Sequence, residues 1–400
     1  MERLLARYTN SYLSYVILFL FYDIAFALFS SMISVYLIGK GYSASEVSLC
    51  ISIASLAAMV TQPIIGGLTE RFGMRLVNMV MFGLTCASAA LFVVSPGFWI
   101  TVGAYSLMYL LMNGVNPVVE RMATSSPYNY GAIRTWGTIG FALGTQLTGI
   151  IYDGISPEAP YIFVIITMIM AIVGFWGTQP RLAETEAANI EDVSEGKEAG
   201  EGVSIKDLLT NKKFLYYLLL QIIFCAVTGA AYSFTPSALT DYLGMEASTA
   251  STVLAVAALL EIPLLLLSSK FMDKVANKTL LLIAFGLAVV QVLPFALGLS
   301  FPVVIALTFL CKHPPVILNI MTNMKVVNTI VDPRQQITGL AIVKACQNFG
   351  TIVSNNIGGR IVDASGYPAM FLFLLALTAV GLLGVLLFRV PSGNDKKLFS

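Results

Sequence analysis

Hydrophobic positions along the chain come in runs too long for the amphipathic elements of a soluble fold. Windows of about 20 apolar residues suffice to cross a hydrocarbon core as a helix. They predict spans near 12–38, 47–69, 76–94, 98–120, 131–152, 160–178, 213–237, 249–269, 279–298, 301–324, 336–362 and 367–389. Between the sixth and seventh, residues 182–207 change character, with Glu184, Glu186, Glu191, Asp192, Glu195, Glu198 and Glu201 among small and polar neighbours. Such a segment buries too little to fold and reads as a mobile linker. The expected fold class is an all-α membrane protein: twelve transmembrane helices in two pseudo-symmetric six-helix bundles, 1–180 and 213–400, joined by a cytoplasmic linker over 181–212.

Composition reinforces the membrane reading, with 57% hydrophobic residues and 11% charged against about 25% charged in ordinary soluble domains. The net charge of +1 carries no orientation signal, but the placement of Lys and Arg in short loops does. With both termini cytoplasmic, 18 of the 23 Lys and Arg fall on the cytoplasmic side, Lys325 among them, and only Lys40 and Arg360 face outward. The first apolar run is too long for the core of a cleavable signal, so span 1 is expected to stay in the mature protein of a plasma membrane. Cys50, Cys86, Cys225, Cys311 and Cys346 sit in apolar spans at irregular spacings and read as core residues, neither a disulfide framework nor a metal set.

Arg134, Lys312 and Lys344 lie inside spans. A charge there costs roughly 2.5–3.5 kcal/mol on insertion scales, so it usually faces a polar cavity and has a partner. Arg134 and Lys344 repeat with their surroundings at a fixed offset, since Gly140 pairs with Gly350, Gly149 with Gly359 and Asp153 with Asp363. Two cations at equivalent places suggest a transport pathway between duplicated halves. Asp23, in the middle of span 1, is either a titrating acid or a static partner for Lys344 or Lys312. Glu261 precedes Pro263, whose missing N–H opens the helix. Glu120 lies beside Arg121 and reads equally as a structural bridge or a coupling group. His313, between Lys312 and Pro314, is a proton relay or a packed histidine at a helix break. Gln221, Asn319, Asn323 and Gln347 supply neutral polar groups for hydroxyls or a base, or bridge helices. Tyr22, Trp136, Phe141 and Tyr232 are candidates to stack on a sugar or nucleobase. No nucleophile elbow, phosphate loop or metal-ligand cluster is present in the sequence, which argues against an enzyme or an ATP-driven pump and for no cofactor and no metal.

The loop after span 2, Gly66-Gly67-Leu68-Thr69-Glu70-Arg71-Phe72-Gly73-Met74-Arg75, is echoed after span 8 by Phe271-Met272-Asp273-Lys274-Val275-Ala276-Asn277-Lys278. Here the chain resembles the major facilitator superfamily, over its whole length apart from linker and termini. The resemblance implies a cytoplasmic conformational gate made by Glu70, Arg71, Arg75, Asp273 and Lys274, whose charge network breaks when the halves rock. Within the superfamily, Tyr130 to Phe141 in span 5 and Glu261-Ile262-Pro263 in span 8 resemble the proton-coupled lactose and nucleoside permeases. That likeness assigns Arg134 and Glu261 to substrate binding and, on the nucleoside-permease pattern, Thr138 and Phe141; lactose permease would have an indole at the last position. Gln221 and Asn319 complete the expected substrate set. The chain also departs from the lactose-permease pattern. Glu120 and Lys344 match charged positions, but the second span-4 carboxylate becomes Asn116, the span-7 aspartate is absent, and the span-10 histidine and glutamate correspond to Lys312 and Pro315. Asp23 is then the leading coupling carboxylate, with Glu261, Lys312, His313 and Lys344 as further proton-coupling candidates.

Physical chemistry reaches a similar place. Burial disfavours an ionised carboxylate and a nearby cation favours it, so a solute group competing for Arg134 would free Asp23 to take a proton and link the two binding events. The expectation is a monomeric secondary transporter in membrane lipid. It would couple protons to uptake of a small polar solute, a nucleoside or sugar, by alternating access at a central site between the bundles, with no nucleic-acid partner. The alternative is a proton antiporter exporting drugs or metabolites. It would call for a larger apolar cavity and a proline–glycine kink in span 5, which the sequence lacks.

Overall fold

A computed structural model describes residues 8–124, 126–128, 130–178, 208, 210–332 and 335–393. The acidic stretch 182–207 lies outside these residues. Every regular element among them is helical. A helix is the one open-chain element that satisfies its own backbone polar groups in hydrocarbon. The helices are α1 (Tyr12–Ser30), α2 (Ile33–Gly39), α3 (Ala44–Phe72), α4 (Met74–Val93), α5 (Phe98–Thr124), α6 (Tyr130–Gly154), α7 (Ala159–Gly177), α8 (Lys212–Ser237), α9 (Ala247–Leu259), α10 (Glu261–Phe271), α11 (Asn277–Ala296), α12 (Phe301–Cys311), α13 (Pro314–Ile330) and α14 (Gln336–Leu387); a single π-helical turn, Ala238–Tyr242, extends α8.

Among the described residues, ten segments are long and apolar enough to cross a membrane. Span 5 is absent from that set because glycines, threonines and Gln146 dilute the apolar residues of α6, which also carries Arg134 and Asp153. Spans 11 and 12 count there as one, Thr338–Leu387. Gly366, at φ 80°, interrupts them with a backbone conformation that suits glycine, and Gly358 faces Met370 across the kink, so the two arms lie side by side. Large apolar side chains stay exposed on most helices, Trp99 at 69% and Leu387 at 76% among them, as lipid-facing surfaces require. The protein is a multi-pass membrane protein.

The chain divides into two compact units, Met1–Ser31 with Ile53–Gly202 and Met32–Ser52 with Val203–Ser400. Unlike the division drawn along the sequence, this one groups α2 and the first turns of α3 with the second unit. There Asp363 accepts hydrogen bonds from the Ala44 and Ser45 amides (2.7 and 3.0 Å) and caps the start of α3, and Asn356 donates to Ser52 (2.8 Å).

Each unit is built around a glycine-mediated helix pair. In the first, α1 packs on α6 and α7. A Cβ at Gly140 or Gly144 would collide with the backbone of Leu20 or Ile24, and one at Gly174 with that of Leu18. In the second, α8 packs on α14, where Gly350 meets the Ile222 carbonyl as Gly140 meets that of Leu20. Small residues allow such close approach, which matters because lipid supplies no hydrophobic drive between helices. Aromatic side chains fill the remaining volume: Tyr22, Phe82 and Phe175 in the first unit, and Phe224 on Phe285 in the second.

Candidate functional site

Charged side chains inside the spans gather at two places, one in each unit. In the first unit Arg134 projects from α6 between two carboxylates. Its Nε lies 3.0 Å from Glu120 Oε1 on α5 and its Nη1 3.9 Å from Asp23 Oδ2 on α1. The three are partly exposed, at 39% for Arg134, 31% for Glu120 and 18% for Asp23, so the cluster is not sealed within the core. Asp23 thus faces Arg134 within its own unit, the cation for which a solute was expected to compete. Glu120 reaches inward to the same guanidinium. The sequence offered a base beside it as a bridging neighbour, whereas the guanidinium it meets lies one helix away.

Thr138 and Phe141 stand one and two turns beyond Arg134 on α6 and are half-buried; the Phe141 ring leans toward Phe26, with centroids 6.5 Å apart. Tyr22, a stacking candidate in the sequence, is instead 2% exposed and donates to the Met112 carbonyl at 2.6 Å. Its ring is core. Trp136 donates through Nε1 to the Tyr12 hydroxyl at 3.0 Å.

In the second unit, spans 8 and 10 are both broken. Pro263 cannot donate to the turn before it, and α9 ends at Leu259 with α10 restarting at Glu261. Pro314 and Pro315 start α13, and His313 is its N-cap residue; Lys312 is the C-cap of α12. The charges suit these ends: Glu261 sits in the first turn of a half-helix, and Lys312 at the last carbonyls of another, as the helix dipole favours. Glu261 Oε2 lies 3.8 Å from His313 Nδ1. Lys312, 5% exposed, places its ammonium over the Tyr232 ring, 4.8 Å from the centroid, a cation–π contact that partly replaces lost hydration. Lys344 on α14 is exposed, and no carboxylate pairs with it among the described residues.

Gln221 and Asn319, expected among the solute ligands, are engaged elsewhere. The Gln221 amide donates to Asn319 (3.0 Å) and to the Tyr217 hydroxyl (2.9 Å), and accepts from Asn319 (2.9 Å) and Gln347 (2.8 Å). Gln221 is 0% exposed and Asn319 2%. Together they brace α8, α13 and α14, which satisfies amides that an apolar interior would otherwise strand. A separate cavity lined by Ile222, Ala226, Phe349, Val353, Ile357 and Leu377 is apolar and offers nothing to a polar solute.

Of the gate residues, Glu70 lies in the last turn of α3, with its side chain outside the described atoms. Arg71 stacks on Phe72 (5.3 Å), and Arg75 donates to the Trp176 carbonyl at 3.3 Å. Gly73, at φ 85°, makes the turn between α3 and α4. In the second unit Asp273 is buried and Lys274 exposed. Lys325, assigned along the sequence to a cytoplasmic loop, is instead 0% exposed within α13. Its ammonium donates to the carbonyls of Met272 and Val275, both at 2.7 Å, and so ties down the loop after α10. Its place at the end of an apolar run hid this role.

Known proteins resemble the chain along most of its length. The MFS_1 like family profile matches residues 12–375. The maltose permease of Geobacillus stearothermophilus is 23% identical over 396 residues, covering 94% of this chain and 96% of that protein. Among solved structures, the nucleoside transporter NupG superposes with a TM-score of 0.75 at 14% identity, covering 94% of this chain and 97% of that one. The D-xylose-proton symporter does so at 0.70 and 14%, covering 96% and 98%. At such identities the structural likeness concerns the fold, and the profile match carries the assignment. With its helical units, broken spans and embedded charges, the chain belongs to the MFS_1 like family of major facilitator transporters and is a membrane transporter, not an enzyme.

Proposed function

We propose that this protein couples protons to the uptake of a small polar solute, a nucleoside or a sugar, across a plasma membrane, with both termini cytoplasmic. One observation carries the reading: a guanidinium, Arg134, is held between two carboxylates, Asp23 and Glu120, within otherwise apolar helices. A solute hydroxyl or carbonyl that takes up donors of Arg134 weakens its hold on a carboxylate, and the carboxylate then binds a proton. Solute and proton thereby favour each other's binding. Glu120, through its 3.0 Å contact, keeps the guanidinium in place while the looser Asp23 contact gives way, so Asp23 is the proton carrier in this scheme. Thr138 and Phe141 extend the solute surface along α6, and Glu261 with His313 forms a second polar group at the broken spans. The relatives named for maltose, nucleosides and xylose support this class of solute.

The energetics suffice. One positive charge crossing about 150 mV releases roughly 3.5 kcal/mol, enough to concentrate a neutral solute about 300-fold. The test is medium pH in an unbuffered suspension of energy-depleted cells producing the protein, pulsed in turn with uridine, maltose and xylose. Alkalinisation by one of these, lost in Arg134→Ala, is the expected outcome. No alkalinisation by any solute, with acidification on adding a lipophilic cation, would refute symport.

A further inference from the structure

Gly137 lies one turn beyond Arg134 on α6. A Cβ built there would stand within 3.0 Å of Asp23 Oδ2 and 2.6 Å from Arg134 Nη1, the two atoms that form the 3.9 Å ion pair. We propose that Gly137 is the spacer that lets this pair close, a positioning residue for proton coupling; the coupling part rests on the reading given under Proposed function.

The other glycines of α6 do something different. At Gly140 and Gly144 the added carbon would strike main-chain atoms of Leu20 and Ile24, which can yield only if α1 moves away. At Gly137 it would meet the ends of two flexible side chains. To reach ordinary contact, Nη1 must retreat from 2.6 Å to at least 3.4 Å, and the carboxylate must turn aside as well. The helices keep their places and the ion pair opens. Glu120 approaches Arg134 from Nε, so that contact is not the one the methyl group invades.

The duplicated half supplies an internal comparison. Gly350 faces Ile222 as Gly140 faces Leu20, so the position matching Asp23, three residues on, is Cys225, and the position matching Gly137 is Gln347. Cys225 lies within electrostatic reach of Lys344, the counterpart of Arg134. The second unit thus has the cation but no carboxylate opposite it, and there a full side chain occupies the spacer position. Glycine stands where an acid and a base must meet.

The test compares full-length Gly137→Ala, Asp23→Asn and the double variant with the wild type in membrane vesicles. The first readout needs no solute: dicyclohexylcarbodiimide adds to protonated carboxyl groups in apolar surroundings, and mass spectrometry quantifies the adduct on Asp23. Labelling of Asp23 at neutral pH should rise about tenfold in Gly137→Ala, the scale on which an opposite charge at this distance biases ionisation. In parallel, Gly137→Ala should lose uphill accumulation of uridine or maltose while keeping exchange within about twofold, and the double variant should accumulate no less than Asp23→Asn. Unchanged labelling at normal abundance would overturn the spacer role, as would failure of Gly137→Ala to reach the membrane, which would make the glycine a packing residue. Raised labelling in Gly137→Ala with full accumulation by Asp23→Asn would leave the spacer standing and sink the coupling scheme instead.

Discussion

Replacing Gln221 by Leu separates a brace from a binding site. Gln221 makes three interhelical hydrogen bonds, two with Asn319 and one with Gln347, in a place with no exposure at all. Interhelical hydrogen bonds in membrane proteins average about 0.6 kcal/mol each, so their loss amounts to about 2 kcal/mol. Stranding the Asn319 and Gln347 amides in an apolar interior adds a further ~1–2 kcal/mol, since an unmade buried hydrogen bond costs more than a made one contributes. A total of roughly 3–4 kcal/mol should appear as a clear fall in the thermal midpoint of the purified protein, followed by the fraction that stays monodisperse after heating. Because all these groups share one network, Gln221→Leu combined with Asn319→Ala should cost much less than the sum of the two. The solute concentration giving half-maximal uptake should stay within about twofold. A Gln221→Leu protein of normal stability whose apparent solute affinity fell tenfold, a loss of about 1.4 kcal/mol in binding, would refute the brace and return Gln221 to the solute site.

Lys325→Met keeps the bulk of the side chain but removes the donors to the Met272 and Val275 carbonyls. At about 1.5–3 kcal/mol for a hydrogen bond to a charged group, the loop after α10 should open, seen as faster amide exchange over 272–278 or new proteolysis there, with the rest of the second unit unchanged. Gly140→Ala and Gly350→Ala each push a Cβ into a neighbouring backbone carbonyl and should cut folded protein in the membrane several-fold, whereas Gly103→Ala, with nothing within 4 Å, should leave abundance untouched. Asp363→Asn keeps one oxygen acceptor but removes the negative charge at the start of α3; a loss of about 0.5–1 kcal/mol should speed exchange of the Ala44 and Ser45 amides several-fold.

Much of the architecture was legible along the chain because a bilayer makes a simple demand. A helix must be apolar over about 20 residues whatever it packs against, so span positions depend on local composition, and the duplicated glycines and acids at a fixed offset exposed the two halves. The breaks in spans 8 and 10 were equally local, since Pro263, Pro314 and Pro315 act on their own turn of helix. The sequence also marked which charges needed an explanation, because any charge in an apolar run needs one. It had no means of pairing them. Arg134 meets Asp23 and Glu120, from α1 and α5, because three helices converge there, and Gln221 meets Asn319 and Gln347 for the same reason. Lys325 looked like a loop cation until the fold brought two carbonyls to its ammonium, and Gly137 looked like any other small residue of α6. Where the helices run was a property of the residues themselves, set by the cost of exposing a backbone to lipid. Which side chains answer one another was settled only by tertiary packing, since that depends on distances between residues far apart in the chain.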